Sequence, residues 1–91
     1  MELKWTSKAV SDLKRLHDFL AQVNRPAASR TVQALAAAPS RLIDLPRMGE
    51  KLEEFAPREV RSLFVSRYEI RYEIEHSTIF VLRIWHSRES R

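Results

Sequence analysis

The chain predicts an α+β fold in the order β-α-α-β-β-β, an antiparallel helical hairpin packed on one face of a small, mainly antiparallel sheet. Three patterns carry that prediction. In the last third, Tyr68, Ile70, Tyr72 and Ile74 alternate with Glu69, Arg71, Glu73 and Glu75, the period of a strand with one buried and one wet face. In the first half, Ala9, Leu13, Leu16, Leu20 and Val23 recur at spacings of three and four, the apolar stripe of an amphipathic helix. A second such stripe, Ala28, Val32, Leu35, Pro39 and Leu42, follows after a short connection, so the two helices double back on one another.

Leu3-Lys4-Trp5 reads as a short opening strand whose place in the sheet is left open. Thr6 or Ser7 then caps the first helix, because a side-chain oxygen there satisfies a free N–H of the first turn. Val10 and Phe19 widen the stripe. Asp12, Lys14, Arg15, Asp18 and Gln22 form the solvated face, with His17 on the same polar side and Lys14 and Asp18 spaced to pair across one turn. Asn24-Arg25-Pro26 ends this helix and opens the next, where a proline in the first turn is tolerated. Pro39 lacks the N–H that would bond back to Leu35, so a kink or break is expected there. Gly49, the only glycine, is expected at a backbone turn that would strain other residues. Residues 50–57 read as a charged loop. Three strands, 58–65, 68–75 and 78–86, follow as a meander, with Ser66-Arg67 and His76-Ser77 at the hairpin tips. The last run is apolar on both faces, Ile79 and Val81 on one and Phe80, Leu82 and Ile84 on the other, which predicts a central strand.

Ninety-one residues make one domain, 1–91, able to bury about 60–65 % of its unfolded surface. A hydrophobic content of 44 % with 31 % charged residues describes a folded globular chain and excludes disorder. Without cysteine there is no disulfide framework and no thiol chemistry, which fits a reducing cytoplasm. The opening residues lack an apolar signal region, and the longest apolar run, 34–38, is far too short to span a bilayer, so no membrane association is expected. The net charge of +4 and a pI near 10.0 suit nucleic acid or an acidic protein partner. His17, His76 and His86 lack metal-ligand spacing, so neither metal nor cofactor is expected.

An ordered set of short pieces runs through nearly the whole chain. It comprises the opening strand into Ala9-x-x-Asp12-Leu13, the amphipathic hairpin, Leu45-Pro46-Arg47-Met48-Gly49, Arg58-Glu59-Val60-Arg61, Tyr68-x-Ile70-x-Tyr72 and the close from Ile79 through Arg83, Trp85 and His86 to Arg88. This set resembles the RelE/ParE superfamily of bacterial toxins, the toxic halves of type II toxin–antitoxin pairs. That family carries two kinds of poison on one fold, and fold does not decide between them. RelE-like members cut messenger RNA in the ribosome; ParE-like members lack that activity and poison DNA gyrase. The tail Leu82-Arg83-Ile84-Trp85-His86-Ser87-Arg88 is more similar to the ParE branch.

The resemblance implies a cytoplasmic toxin without a cofactor or catalysis of its own, which binds DNA gyrase and blocks replication. Its partner would be a ParD-like antitoxin whose C-terminal segment folds on binding. Arg83, Trp85, His86, Arg88, Arg61 and Arg71 are the expected target-binding residues. The alternative is a ribosome-dependent endoribonuclease acting on messenger RNA, with His86, Arg61 and Arg83 as its catalytic groups. Cutting RNA through the 2′-hydroxyl needs a base, an acid and cations around the phosphorane. Here Ser87 stands where a C-terminal tyrosine is expected, and the loop offers only Lys51 among Glu50, Glu53 and Glu54. Glu69 stands where some nucleases of this fold place an arginine. A third reading is an inactive homologue that only binds its antitoxin. Purely structural roles stay open beside these: Arg61 and Arg71 pairing with Glu59, Glu69 or Glu73 across strands, Trp85 covering the sheet rim, Tyr68 and Tyr72 packing on the helices, and His86 hydrogen bonding to the chain end.

Overall fold

Thr6 converts the first strand into the first helix. In the computed structural model, which describes residues 1–89, β1 (Glu2–Trp5) runs straight into α1 (Ser7–Ala21). The Thr6 hydroxyl accepts from the Ala9 N–H at 3.1 Å and lies 2.9 Å from the carbonyls of Val81 and Leu82, to which it donates. One side chain therefore caps the helix and pins its start to the sheet. Asn24 caps α2 (Arg25–Ala37) by accepting from the Ala27 N–H at 3.0 Å, with Pro26 in the first turn. The helix stops short of Pro39, and the chain tightens into a 3₁₀ helix, Ala38–Ile43, the break that a missing N–H predicts. Lys14 and Asp18 pair at 2.8 Å as their spacing requires.

The remaining strands are β2 (Glu50–Lys51), β3 (Glu59–Val65), β4 (Tyr68–Glu75) and β5 (Thr78–His86), in the sheet order β1-β5-β4-β3-β2. β1 takes the edge beside β5 and runs parallel to it, Leu3 opposite Ile79 and Trp5 opposite Val81; the other pairs are antiparallel. The stretch expected to be a loop holds the two-residue edge strand β2, opposite Ser62 and Arg61, and a 3₁₀ turn at Glu53–Phe55. Both hairpin tips are two-residue turns, with Ser66 at φ 55° and His76 at φ 57°. That left-handed first position is what primed hairpin turns demand.

The register of β5 on β4 steps between Arg71, opposite Arg83, and Tyr72, opposite Val81, leaving Leu82 without a partner. This bulge turns the strand by one residue. Ile84 therefore joins Ile79 and Val81 in the core beneath the helices, correcting the strict alternation that grouped it with Phe80 and Leu82. Leu16, Leu35, Leu42, Ile70 and Tyr72 complete the centre of that core. Val10, Phe19 and Val23 do not belong to it; they are 54 %, 67 % and 89 % exposed. At about 100° per residue, Val10 and Phe19 fall on the flanks of the Ala9–Leu16 line, and Val23 lies past the end of α1.

Tyr72 is fully buried, and its hydroxyl donates to the Pro46 carbonyl at 2.7 Å and accepts from the Gly49 N–H at 2.9 Å. Burial pushes its phenol up from 10.0, opposed by the Gly49 hydrogen bond. This pair explains the single glycine better than turn geometry does. Gly49 has no positive φ, but a Cβ there would lie 2.7 Å from both the Tyr72 hydroxyl and the Ser62 carbonyl oxygen. Replacing Tyr72→Phe strands the buried Gly49 N–H at a cost of about 1–3 kcal/mol. Thermal unfolding should then fall by about 4–8 °C per kcal/mol, and an unchanged melting temperature would remove the pair from the account.

Asp12, expected on the solvated face, is 4 % exposed. The reason lies in the sheet. β1 ends at Trp5, so the second half of β5 has no strand beside it, and its edge N–H and C=O groups need other partners. Asp12 accepts from the Ile84 N–H at 2.8 Å, from Arg83 Nε at 2.8 Å and Nη2 at 3.1 Å, and from Arg15 Nη2 at 3.1 Å. Arg15 Nη2 also donates to the Ile84 carbonyl at 3.1 Å. Two side chains of α1 thus satisfy both Ile84 groups on the edge that β1 leaves open. Burial alone would raise the Asp12 carboxyl, but the Arg83, Ile84 and Arg15 donors outweigh it and hold it below its ordinary 3.8. A depressed carboxylate stabilises the fold above its unfolded pKa, and that contribution is lost as pH falls through the lower folded value. Asp12→Ala should cost about 3–5 kcal/mol at neutral pH because it leaves the paired cation and amide unsatisfied. Asp12→Asn should be less stable than the wild type at about pH 7, yet lose less stability between about pH 4 and pH 2. Chemical denaturation across that range measures both, and parallel curves would contradict the assignment.

Candidate functional site

The face of the sheet away from the helices is built from cations held between aromatic rings. Arg71 stands with its guanidinium 5.4 Å from the Phe55 ring centroid and 4.7 Å from that of Trp85, and the Arg83 guanidinium lies 5.0 Å from the Trp85 centroid. Such contacts are attractive because the ring face carries partial negative charge. Trp85, expected to bind a target or else to cover the sheet rim, is 8 % exposed among them. Glu69, expected on the wet face, is 3 % exposed; it accepts from the Ser62 hydroxyl and from Arg71 Nη2 at 3.1 Å. Strict alternation failed here because the aromatic groups of the 3₁₀ turn and of β5 cover the second face.

Arg61 points to a different place. Its Nη1 donates to the Gly49 carbonyl and its Nε to Glu59, both at 2.8 Å, and Glu59 also takes Arg47 at 2.9 Å. Burial would raise the Glu59 carboxyl, and the two guanidinium groups hold it below its ordinary value. The expected ion pairs form, but Glu59–Arg61 and Glu69–Arg71 lie along single strands, two residues apart, rather than across them. Arg58–Glu73, at 2.8 Å, is the one that crosses from β3's approach to β4.

The six residues expected to bind a target therefore do not form one patch. Arg83, Arg71 and Trp85 are engaged with each other and with Asp12 and Glu69. Arg61 pairs with Tyr72 in register, whereas His86 pairs with Tyr68, which separates them by two strands and roughly 13 Å along β4. His86 and Arg88 are left, and they sit in a cleft of about 570 Å³ between α1 and the end of the β4–β5 hairpin. Its other walls are Arg15, Leu16, Phe19, Leu20, Tyr68 and Glu89.

Tyr68 and His86 meet edge to face with centroids 5.1 Å apart, a favoured aromatic geometry. His86 Nδ1 accepts from the Arg88 N–H at 3.1 Å, so Nε2 carries the proton of the neutral ring. Neither Nε2 nor the Tyr68 hydroxyl has a hydrogen-bond partner among the described residues. Burial, with Glu89 nearby, pushes the Tyr68 phenol up from 10.0. Glu89 accepts from the His86 N–H at 2.8 Å through one oxygen and pairs with Arg15 through the other. Ser87 N–H donates to the Arg67 carbonyl at 2.7 Å, tying the tail to the β3–β4 turn. Arg15, Phe19 and Glu89 were missed as site residues. The helical period places the first two on α1, but nothing local shows that Arg15 reaches a residue 74 positions away.

An apolar cleft with a cationic rim and two unengaged polar tips can bind a peptide or an anion. Arg61 and Arg83, the cations expected beside His86 in a nuclease, lie outside its lining, which holds Arg15 and Arg88 instead. Among the described residues no three His, Asp or Glu side chains gather to hold a metal, and no helix is long and apolar enough to cross a membrane.

Comparison with known proteins agrees with this architecture. The sequence model of the family described as the ParE toxin of type II toxin–antitoxin system, parDE, matches residues 3–91. A protein of Caulobacter vibrioides named Toxin RelE2 is 30% identical over 86 residues, covering 94% of each chain. A solved structure described as a chromosomal ParDE TA system from P. aeruginosa superposes with a TM-score of 0.78 at 26% identity, covering 94% of this chain and 95% of that one. With the family match spanning the strands, the hairpin and the cleft alike, the chain belongs to the ParE toxin family of type II toxin–antitoxin systems, within the RelE/ParE superfamily.

Proposed function

We propose that this toxin acts by binding DNA gyrase and stopping replication in the cytoplasm, without cutting RNA, and that a ParD-like antitoxin neutralises it. The observation that carries the reading is the employment of the arginines. A nuclease of this fold needs cations free to stabilise a phosphorane next to its acid and base. Arg83 is spent on Asp12 and Trp85, and Arg61 on Gly49 and Glu59, and neither lines the cleft that holds His86. A protein target requires no such convergence. It needs a surface, and the His86–Arg88 tail beside the apolar α1 wall supplies one. The likeness to a ParDE system supports the same branch, whereas the likeness to a toxin named RelE2 keeps ribosome-dependent cleavage of messenger RNA as the competing reading.

The purified toxin should abolish supercoiling of plasmid DNA by gyrase and leave message intact in programmed ribosomes. Cut message with normal supercoiling would transfer the chain to the nuclease reading. The His86→Ala/Arg88→Ala double variant should lose growth inhibition while melting within a few degrees of the wild type, because Arg88 is exposed and His86 half-buried. Full toxicity in that variant would move the target contact elsewhere.

A further inference from the structure

The cleft beside α1 already holds a carboxylate, and it comes from the chain itself. Glu89 sits on the turn after β5, pairing with Arg15 and accepting from the His86 N–H. Its side chain is 30 % exposed and that of Arg15 41 %, so the tie is a weak, solvent-screened one. Phe19, 67 % exposed, lines the same cleft, and Val23, 89 % exposed, follows four positions on, just past the end of α1. Large apolar side chains left in water beside a cleft are features of a surface waiting for a partner. Arg88 adds a cation with no partner among the described residues, on a chain whose net charge is +4.

We propose that Glu89 is an internal stand-in for an acidic side chain of the antitoxin, and that the cleft takes a short apolar segment of that partner. The proposal rests on the antitoxin reading above. On docking, the partner's apolar side chains cover Phe19 and Val23, and its carboxylate replaces Glu89 on Arg15 and reaches Arg88. No covalent step is involved; one ion pair is exchanged for another, and the gain comes from the apolar surface removed from water. The charge match speeds encounter and excludes basic segments. Because the same cleft carries His86 and Arg88, a seated segment masks the residues proposed to touch the target. Neutralisation is then competition for one surface, with no change of fold required.

The test is equilibrium binding of the toxin to its cognate antitoxin, with three toxin variants and a melting curve for each. Phe19→Ala/Val23→Ala should weaken binding by roughly thirtyfold or more, the loss expected when central anchors are removed. Arg88→Ala should weaken it less. Glu89→Gln removes the internal competitor and should tighten binding a few-fold. Wild-type binding with unchanged affinity in Phe19→Ala/Val23→Ala would overturn the docking site while leaving the antitoxin reading intact. Equal or weaker binding by Glu89→Gln would overturn the stand-in role. No binding by the wild-type toxin would overturn the antitoxin reading and the proposal with it.

Discussion

A first strand of four residues beside a last strand of nine leaves half an edge unpaired, and the Asp12 carboxylate is what closes it. An edge amide cannot be buried under a helix without an acceptor, because the desolvated donor would cost more than the packing returns. Asp12 supplies that acceptor from α1, and with it the helix acquires one position and one rotation on the sheet. Arg15, one turn on, then falls over the Ile84 carbonyl and reaches the tail. Arg83 is recruited as the counter-ion that makes a buried carboxylate tolerable. That contact ties α1 to β5 next to the cleft between the helix and the end of the β4–β5 hairpin.

Sixteen Lys and Arg residues invite a reading in terms of polyanion binding, yet most of the cations on the sheet are internally committed. Arg71 lies between Phe55 and Trp85, Arg61 bridges Gly49 and Glu59, Arg58 pairs with Glu73, and Arg83 serves Asp12. What distinguishes a structural arginine from a recognition arginine here is the presence of an acidic or carbonyl partner within 3.1 Å. By that measure Arg88 differs from Arg58, Arg61, Arg71 and Arg83. A small basic protein can thus hold a sheet together with cations and still present only a few of them to a partner, which suits recognition by shape and apolar contact more than by charge density.

Much of the fold was legible because its signals are local. The alternation in β4, the two helical stripes, the Thr6 and Asn24 caps and the break before Pro39 each depend on neighbours in sequence. Several of the failures involve partners distant along the chain. Asp12 looks solvated until Ile84 and Arg83 are beside it, 72 and 71 positions away. Gly49 looks like a turn glycine until the Tyr72 hydroxyl, 23 positions on, occupies the space of its Cβ. The bulge at Leu82 leaves no mark in a run that is apolar on both faces, so Ile84 was assigned to the wrong side. For the candidate site, family resemblance pointed to the tail, and the structure separated His86 and Arg88 from the committed arginines. The α1 wall of the cleft was invisible, because Phe19 read as core.

Native-state hydrogen exchange at the Ile84 amide tests the central constraint most directly, since that N–H has no strand beside it and is held by Asp12 alone. The account predicts protection of the Ile84 amide comparable to that of Ile70 and Val81 at the sheet centre, opening only with global unfolding. An Ile84 amide that exchanges as fast as those of frayed edge residues, while Ile70 and Val81 stay protected, would show that Asp12 does not close the edge and that α1 is placed by other forces.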